Sequence, residues 1–178
     1  MKDASESPIP EGLREEWASR LAEPPKAAAP GGSQRLFLFR TGPEWFGVDA
    51  RLLLMTSPWV RPRRLPHQRG RIVDGVINAD GRVILCLSME LVAGIPRSAT
   101  PSEGRRLLVF SWQKWLFALA ADEVLGIEDV EISRKDPLPP SAAEALRKCA
   151  QGIVFHRGRA VVCLDADAFA GQLLEVLR

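Results

Sequence analysis

The sequence predicts an all-β fold with short helices, organised as small barrels. Three observations carry this. Residues 75–94 (GVINADGRVILCLSMELVAG) and 152–171 (GIVFHRGRAVVCLDADAFAG) align without a gap at an offset of 77, with seven of twenty positions identical. The identities are Gly75/Gly152, Gly81/Gly158, Arg82/Arg159, Cys86/Cys163, Leu87/Leu164, Ala93/Ala170 and Gly94/Gly171. A weaker echo precedes each copy: Arg35–Phe39 followed by Trp45 matches Arg106–Phe110 followed by Trp115. The apolar runs are short and punctuated by glycine turns, with no strand–helix–strand rhythm, so small barrels are expected rather than a parallel sheet.

At 178 residues the chain is one domain or two small ones. The repeat divides it into an N-terminal extension (1–34), a first half (35–97) and a second half (105–178). Each half has a thin core and gains by packing on the other. A hydrophobic content of 46% with 26% charged residues fits a globular protein, and a net charge of +2 gives no general affinity for polyanions. Met1–Ser7 lacks an apolar signal region and no apolar run approaches 18 residues, so a cytoplasmic protein without membrane insertion is expected. The three cysteines have no metal-ligand spacing; Cys86 and Cys163 fall at one apolar strand position of the repeat and read as buried thiols.

The elements follow in order. Lys2–Pro10 and Pro24–Ser33 have linker composition, and Glu11–Leu21 between them places Leu13, Trp17 and Leu21 on one helical face. Leu36–Arg40 and Trp45–Val48 read as strands around the turn Gly42-Pro43-Glu44. Asp49 is a cap for a short helix through Met55, which Ser57-Pro58 ends. Val73–Asn78 and Arg82–Ser88 form a hairpin around Ala79-Asp80-Gly81, because Asp-Gly tolerates positive φ. Met89–Ala93 is a helical turn stopped at Gly94. After the polar connector Ser98–Gly104 the plan repeats. Leu107–Trp112 and Trp115–Ala120 are strands joined at Gln113-Lys114, and Ala121–Val130 carries an acidic cluster. Pro137–Pro140 is a loop, and Ser141 is a cap for a helix through Ala150. Ile153–Phe155 and Arg159–Leu164 form the second hairpin, and Ala166–Leu177 a closing helix.

No catalytic constellation emerges. There is no phosphate-binding glycine loop and no nucleophile elbow. The two histidines, His67 and His156, read as exposed loop residues. Asp165 and Asp167 stand at a helix start, where carboxylates serve as caps. No catalytic residue, metal site or cofactor is therefore expected. The run Arg61–Arg71 suggests phosphate contacts, and an SH3-like nucleic-acid module using it is the alternative reading; stacking aromatics are missing from the run, which favours a solvated loop or an acidic protein partner.

The ordered set of motifs over roughly residues 35–175 resembles the CheW-like family of chemotaxis coupling proteins, with the regulatory domain of the kinase CheA. The opening strand Leu36–Phe39, the step Phe46-Gly47-Val48-Asp49, the lead-in Gly75-Val76-Ile77-Asn78 and the strand Arg82–Leu87 carry it. So do Phe117–Gly126, with Asp122 and Val124 in place, and the hairpin Gly152–Leu164. The long N-terminal segment resembles the adaptor variant of Wsp-type surface-sensing systems. The resemblance implies two SH3-like five-stranded β-barrels side by side, and a non-catalytic adaptor in a two-component signalling system. Its implied partners are the regulatory domain of a CheA-type histidine kinase and the cytoplasmic tip of a methyl-accepting chemotaxis receptor, at arrays on the inner face of the membrane. The positions it implies for partner binding are Leu53, Met55, Asn78, Asp80, Arg82 and Val83. The chain departs from the family pattern at Asp80 and Met55, which replace an arginine and a glutamate. Leu85 replaces a proline, and Ser88-Met89-Glu90 replaces an Asp-Leu-Arg step.

Overall fold

In a computed structural model the described residues are 32–64, 72–79, 81–97, 102–113 and 115–176, with side chains described through 171. The expected helix Glu11–Leu21, His67, Asp80 and most of the run Arg61–Arg71 lie outside them.

Ten strands form two five-stranded sheets. The strands are β1 (Ser33–Thr41), β2 (Glu44–Asp49), β3 (Leu53–Pro58), β4 (Val73–Ala79), β5 (Arg82–Leu87), β6 (Arg106–Trp112), β7 (Trp115–Ala121), β8 (Glu123–Glu131), β9 (Ala150–His156) and β10 (Arg159–Leu164). Among the described residues three α-helices accompany them: α1 (Met89–Ala93), α2 (Glu144–Cys149) and α3 (Ala166–Val176). The first sheet has the order β8-β1-β2-β10-β9 and the second β3-β6-β7-β5-β4. Exchanging equivalent strands of the two sequence halves turns one order into the other. Neither sheet belongs to one half. The hairpin β1–β2 of residues 35–97 completes its sheet with β8, β9 and β10 of residues 105–178, and β6–β7 completes the other with β3, β4 and β5.

The burial pattern explains the continuous apolar run of β1. Leu36 and Leu38 enter a cluster with Val130, Val154, Val161 and Cys163, all from the first sheet. Phe37 and Phe39 point the other way, into a core shared with Phe110, Phe117 and Leu119 of the second sheet. Residues i and i+2 share a face in a strand, so a strand buried on both faces must be apolar throughout. In the second sheet Ile77, Ile84, Cys86, Leu107 and Val109 form the matching inner cluster. Cys86 and Cys163 are thus equivalent buried thiols, as the repeat implied. Desolvation pushes Cys86 up to about 12 and also raises Cys163.

Two helix expectations are corrected. Asp49 does cap, accepting from Arg51 N–H at 2.9 Å, but the helix is only the 3-10 turn Ala50–Leu52. Leu53–Pro58 is strand β3 and pairs with β6. The gain from joining a sheet edge overrides the local helical signal. Ser141 is not a cap: α2 starts after Ala143, without a side-chain cap bond. Pro139 and Pro140 occupy a turn there, with Ala142 N–H donating to Pro139 O at 2.9 Å, which moves the helix start downstream. The hairpin turns agree with expectation: Gly81 and Gly158 both have φ 76°, and Arg157 has φ 48°.

Candidate docking faces

The hairpin β4–β5 presents one face. Asn78 pairs with Val83 and Ala79 with Arg82, with Gly81 at φ 76° just before β5. Ile77 and Ile84 are buried, and the strand alternation turns Asn78 and Val83 outward. Val83 is 76% exposed, an isolated apolar side chain at the hairpin tip. The structure therefore brings Asn78, Arg82 and Val83 together. Leu53 and Met55 lie on β3, at the other edge of the same sheet, and both are half-buried. Leu53 packs on the shared core, whereas Met55 packs on the inner cluster with Ile77.

The equivalent hairpin β9–β10 presents a second face, which the sequence reading missed. Phe155 pairs with Ala160 and is 71% exposed. In the repeat alignment Phe155 falls opposite Asn78 and Ala160 opposite Val83, so the bulky apolar group sits on the other strand. An aromatic residue opposite a polar one was the signal available in the sequence. His156 is not an exposed loop residue. It ends β9 and is largely covered, with Nε2 3.6 Å from Glu128 Oε2 and no hydrogen-bond geometry. Arg157 reaches the same carboxylate at 2.9 Å, so β8 and β9, the two edges of the first sheet, are joined at this end.

A buried polar cluster stands where the chain crosses between sheets. Arg105 donates to Glu90 Oε1 at 2.5 Å, and Ser88 Oγ donates to Glu90 Oε2 at 3.0 Å. The other side of the guanidinium faces Asp122, with Nε 3.5 Å from Oδ1. That distance is an ion pair, and its geometry is not that of a hydrogen bond. Asp122 also accepts from Gly42 N–H and from Ser102 Oγ, both at 2.8 Å. One arginine therefore ties α1 to the β7–β8 crossover and, through Asp122, to the β1–β2 turn. Ser88 doubles as the cap of α1, accepting from Leu91 N–H at 3.2 Å; its repeat equivalent Asp165 caps α3 from Ala168 N–H at 2.8 Å.

Among the described residues no group of three or more His, Cys, Asp or Glu could hold a metal ion, and no helix is long and apolar enough to cross a membrane.

Residues 35–173 match the CheW-like domain family. The chain belongs to the CheW-like family. The fold agrees: the crystal structure of the scaffolding protein TtCheW from Thermoanaerobacter tengcongensis superposes with a TM-score of 0.63 at 17% identity. The match covers 75% of this chain and 89% of that one. A search of curated proteins finds no match. Membership gives the architecture as CheW-like, two small barrels sharing strands from both halves.

Proposed function

We propose that this CheW-like chain is a non-catalytic adaptor that couples the cytoplasmic tip of a chemoreceptor to the regulatory domain of a CheA-type histidine kinase. It works in the cytoplasm, at receptor arrays on the inner face of the membrane, in a motility or Wsp-type surface-sensing pathway. The observation that carries this reading is the pair of equivalent but chemically different hairpin tips, Val83 on one sheet and Phe155 on the other. Two unlike faces on one rigid body suit two unlike partners. The receptor-facing set is Leu53, Met55, Asn78, Asp80, Arg82 and Val83, and the kinase uses the barrel ends away from that hairpin. Each contact needs only about micromolar affinity, roughly −8 kcal/mol, because an array multiplies weak contacts through effective concentration.

Titration of wild type, Val83→Glu and Phe155→Glu against a receptor tip and a kinase regulatory domain, each separately, tests this. Both side chains are exposed, so the variants should fold. The expected result is a loss of tenfold or more that differs between the two partners. Absence of binding to both partners, or unchanged binding by both variants, would sink the reading.

A further inference from the structure

We propose that Trp59–Arg64 and the tip of the β4–β5 hairpin form a cationic docking face whose partner is a protein helix carrying carboxylates one turn apart. The inference rests on the adaptor reading and names the chemistry of one of its partners.

The basic segment is fixed rather than loose. Leaving β3 at Pro58, it lies along the edge strand β4. Arg63 N–H donates to Val76 O at 2.8 Å and Val76 N–H to Arg63 O at 2.9 Å. Gly75 makes room for it, since a Cβ there would overlap the Arg63 carbonyl. Pro62 holds Arg61 in extended conformations. Arg61 and Arg63 therefore stand about 6–7 Å apart along the chain. Side chains at i and i+4 of a helix are about 5–6 Å apart, so one helical turn of two carboxylates spans the same gap.

The charge on this face is not spent internally. Arg61, Arg63 and Arg64 are exposed and make no ion pair among the described residues. Arg82 is also exposed, on β5 across β4 from this segment, where its pairing with Ala79 closes the hairpin. The acid of β4, Asp74, is already paired with Arg97. Burial lowers the Arg97 pKa, and Arg64 and Arg105 add to that fall, which marks a concentration of positive charge here.

The chemistry separates protein from other anions. Val60 is half-exposed, and Val83 is exposed opposite Asn78 at the hairpin tip, giving the mixed apolar and guanidinium surface that a protein interface desolvates. Trp59, the aromatic residue of the segment, is half-buried with the Arg105 guanidinium 5.9 Å from its ring centroid. It is therefore not presented for stacking on bases. A lipid surface would reward basic residues without any fixed spacing.

The test is an NMR titration of the full ¹⁵N-labelled chain with four probes. These are an alanine-rich helix of about 20 residues with glutamates at i,i+4, the same helix with lysines, oligothymidylate of similar charge, and phosphatidylserine vesicles. The glutamate helix should shift the amides of residues 59–61, 63–64 and 81–83 and saturate at the lowest concentration. Its affinity should fall at least several-fold between about 50 and 200 mM salt, and at least tenfold in R61E/R63E. Melting curves establish that the variant is folded, and R61Q/R63Q serves if it is not. The proposal is overturned if these amides do not move, if oligothymidylate or vesicles saturate first, or if a folded variant binds like wild type. If the glutamate helix binds but no receptor tip or kinase domain does, the adaptor reading fails alone. If both partners bind equally well to R61E/R63E, the cationic face fails alone.

Discussion

Gly75 and Gly152 occupy the same position in the two halves, and each lies beneath a backbone carbonyl of the segment preceding its hairpin. The carbonyls are Arg63 O and Asp136 O, and the bridges Arg63–Val76 and Asp136–Ile153 form beside them. Their φ values are 148° and 146°, and a Cβ at Gly152 would sit 2.9 Å from Asp136 O. Gly81 shares the positive φ but has open space around it. Gly75→Ala should therefore cost roughly 3 kcal/mol or more, combining strain with a clash against main chain. Gly81→Ala should cost about 1 kcal/mol, from strain alone. Urea unfolding of both variants decides it; equal losses would contradict the crowding argument.

Arg105 and Glu90 should be tightly coupled. Both are almost fully covered, and removing one strands the charge of the other. Arg105→Met is expected to lose about 3–5 kcal/mol, and the double change Arg105→Met/Glu90→Leu to lose less than that single change. A double-mutant cycle reads the difference. Losses that simply add would show that the pair does not act as a unit.

A chain ending at Pro101 should not fold. It would contain β1–β2 without β8 and β10, and β3, β4 and β5 without β6 and β7. Each fragment sheet would expose long unpaired edges and half of the shared phenylalanine core. Calorimetry should show no cooperative transition for residues 32–101 alone. A cooperative melt of that fragment would refute the dependence of each sheet on both halves.

Asp165 should give stability a step in acid. Its carboxylate accepts from Ala168 N–H and from Gln151, which hold its pKa below the ordinary 3.8. The folded state thus favours the ionised form. This contribution is present above the unfolded value and is lost as pH falls from near 4 through the lower folded value. Asp165→Ala should cost about 1 kcal/mol at neutral pH, and the gap to wild type should close in that acid window. A gap that persists unchanged at the acid end would place the effect in packing instead.

What the sequence by itself determined was local and periodic. The two hairpins, their glycine turns, the short helix α1 stopped at Gly94 and the buried thiols Cys86 and Cys163 follow from alternation, turn chemistry and the repeat. The family resemblance supplied the double-barrel architecture. Which strands pair across the halves was decided only by tertiary structure, because the inner strands are apolar on both faces and their pattern carries no partner label. The same competition turned residues 53–58 from helix to strand and moved the start of α2 past Ser141. Phe155 emerged as a surface residue only once its strand had a defined face. Arg105 could not be linked to Glu90 and Asp122 in advance, since charges 15 and 17 residues away meet only when the chain crosses between sheets. Side-chain periodicity specifies a strand's two faces, whereas long-range packing decides what each face meets.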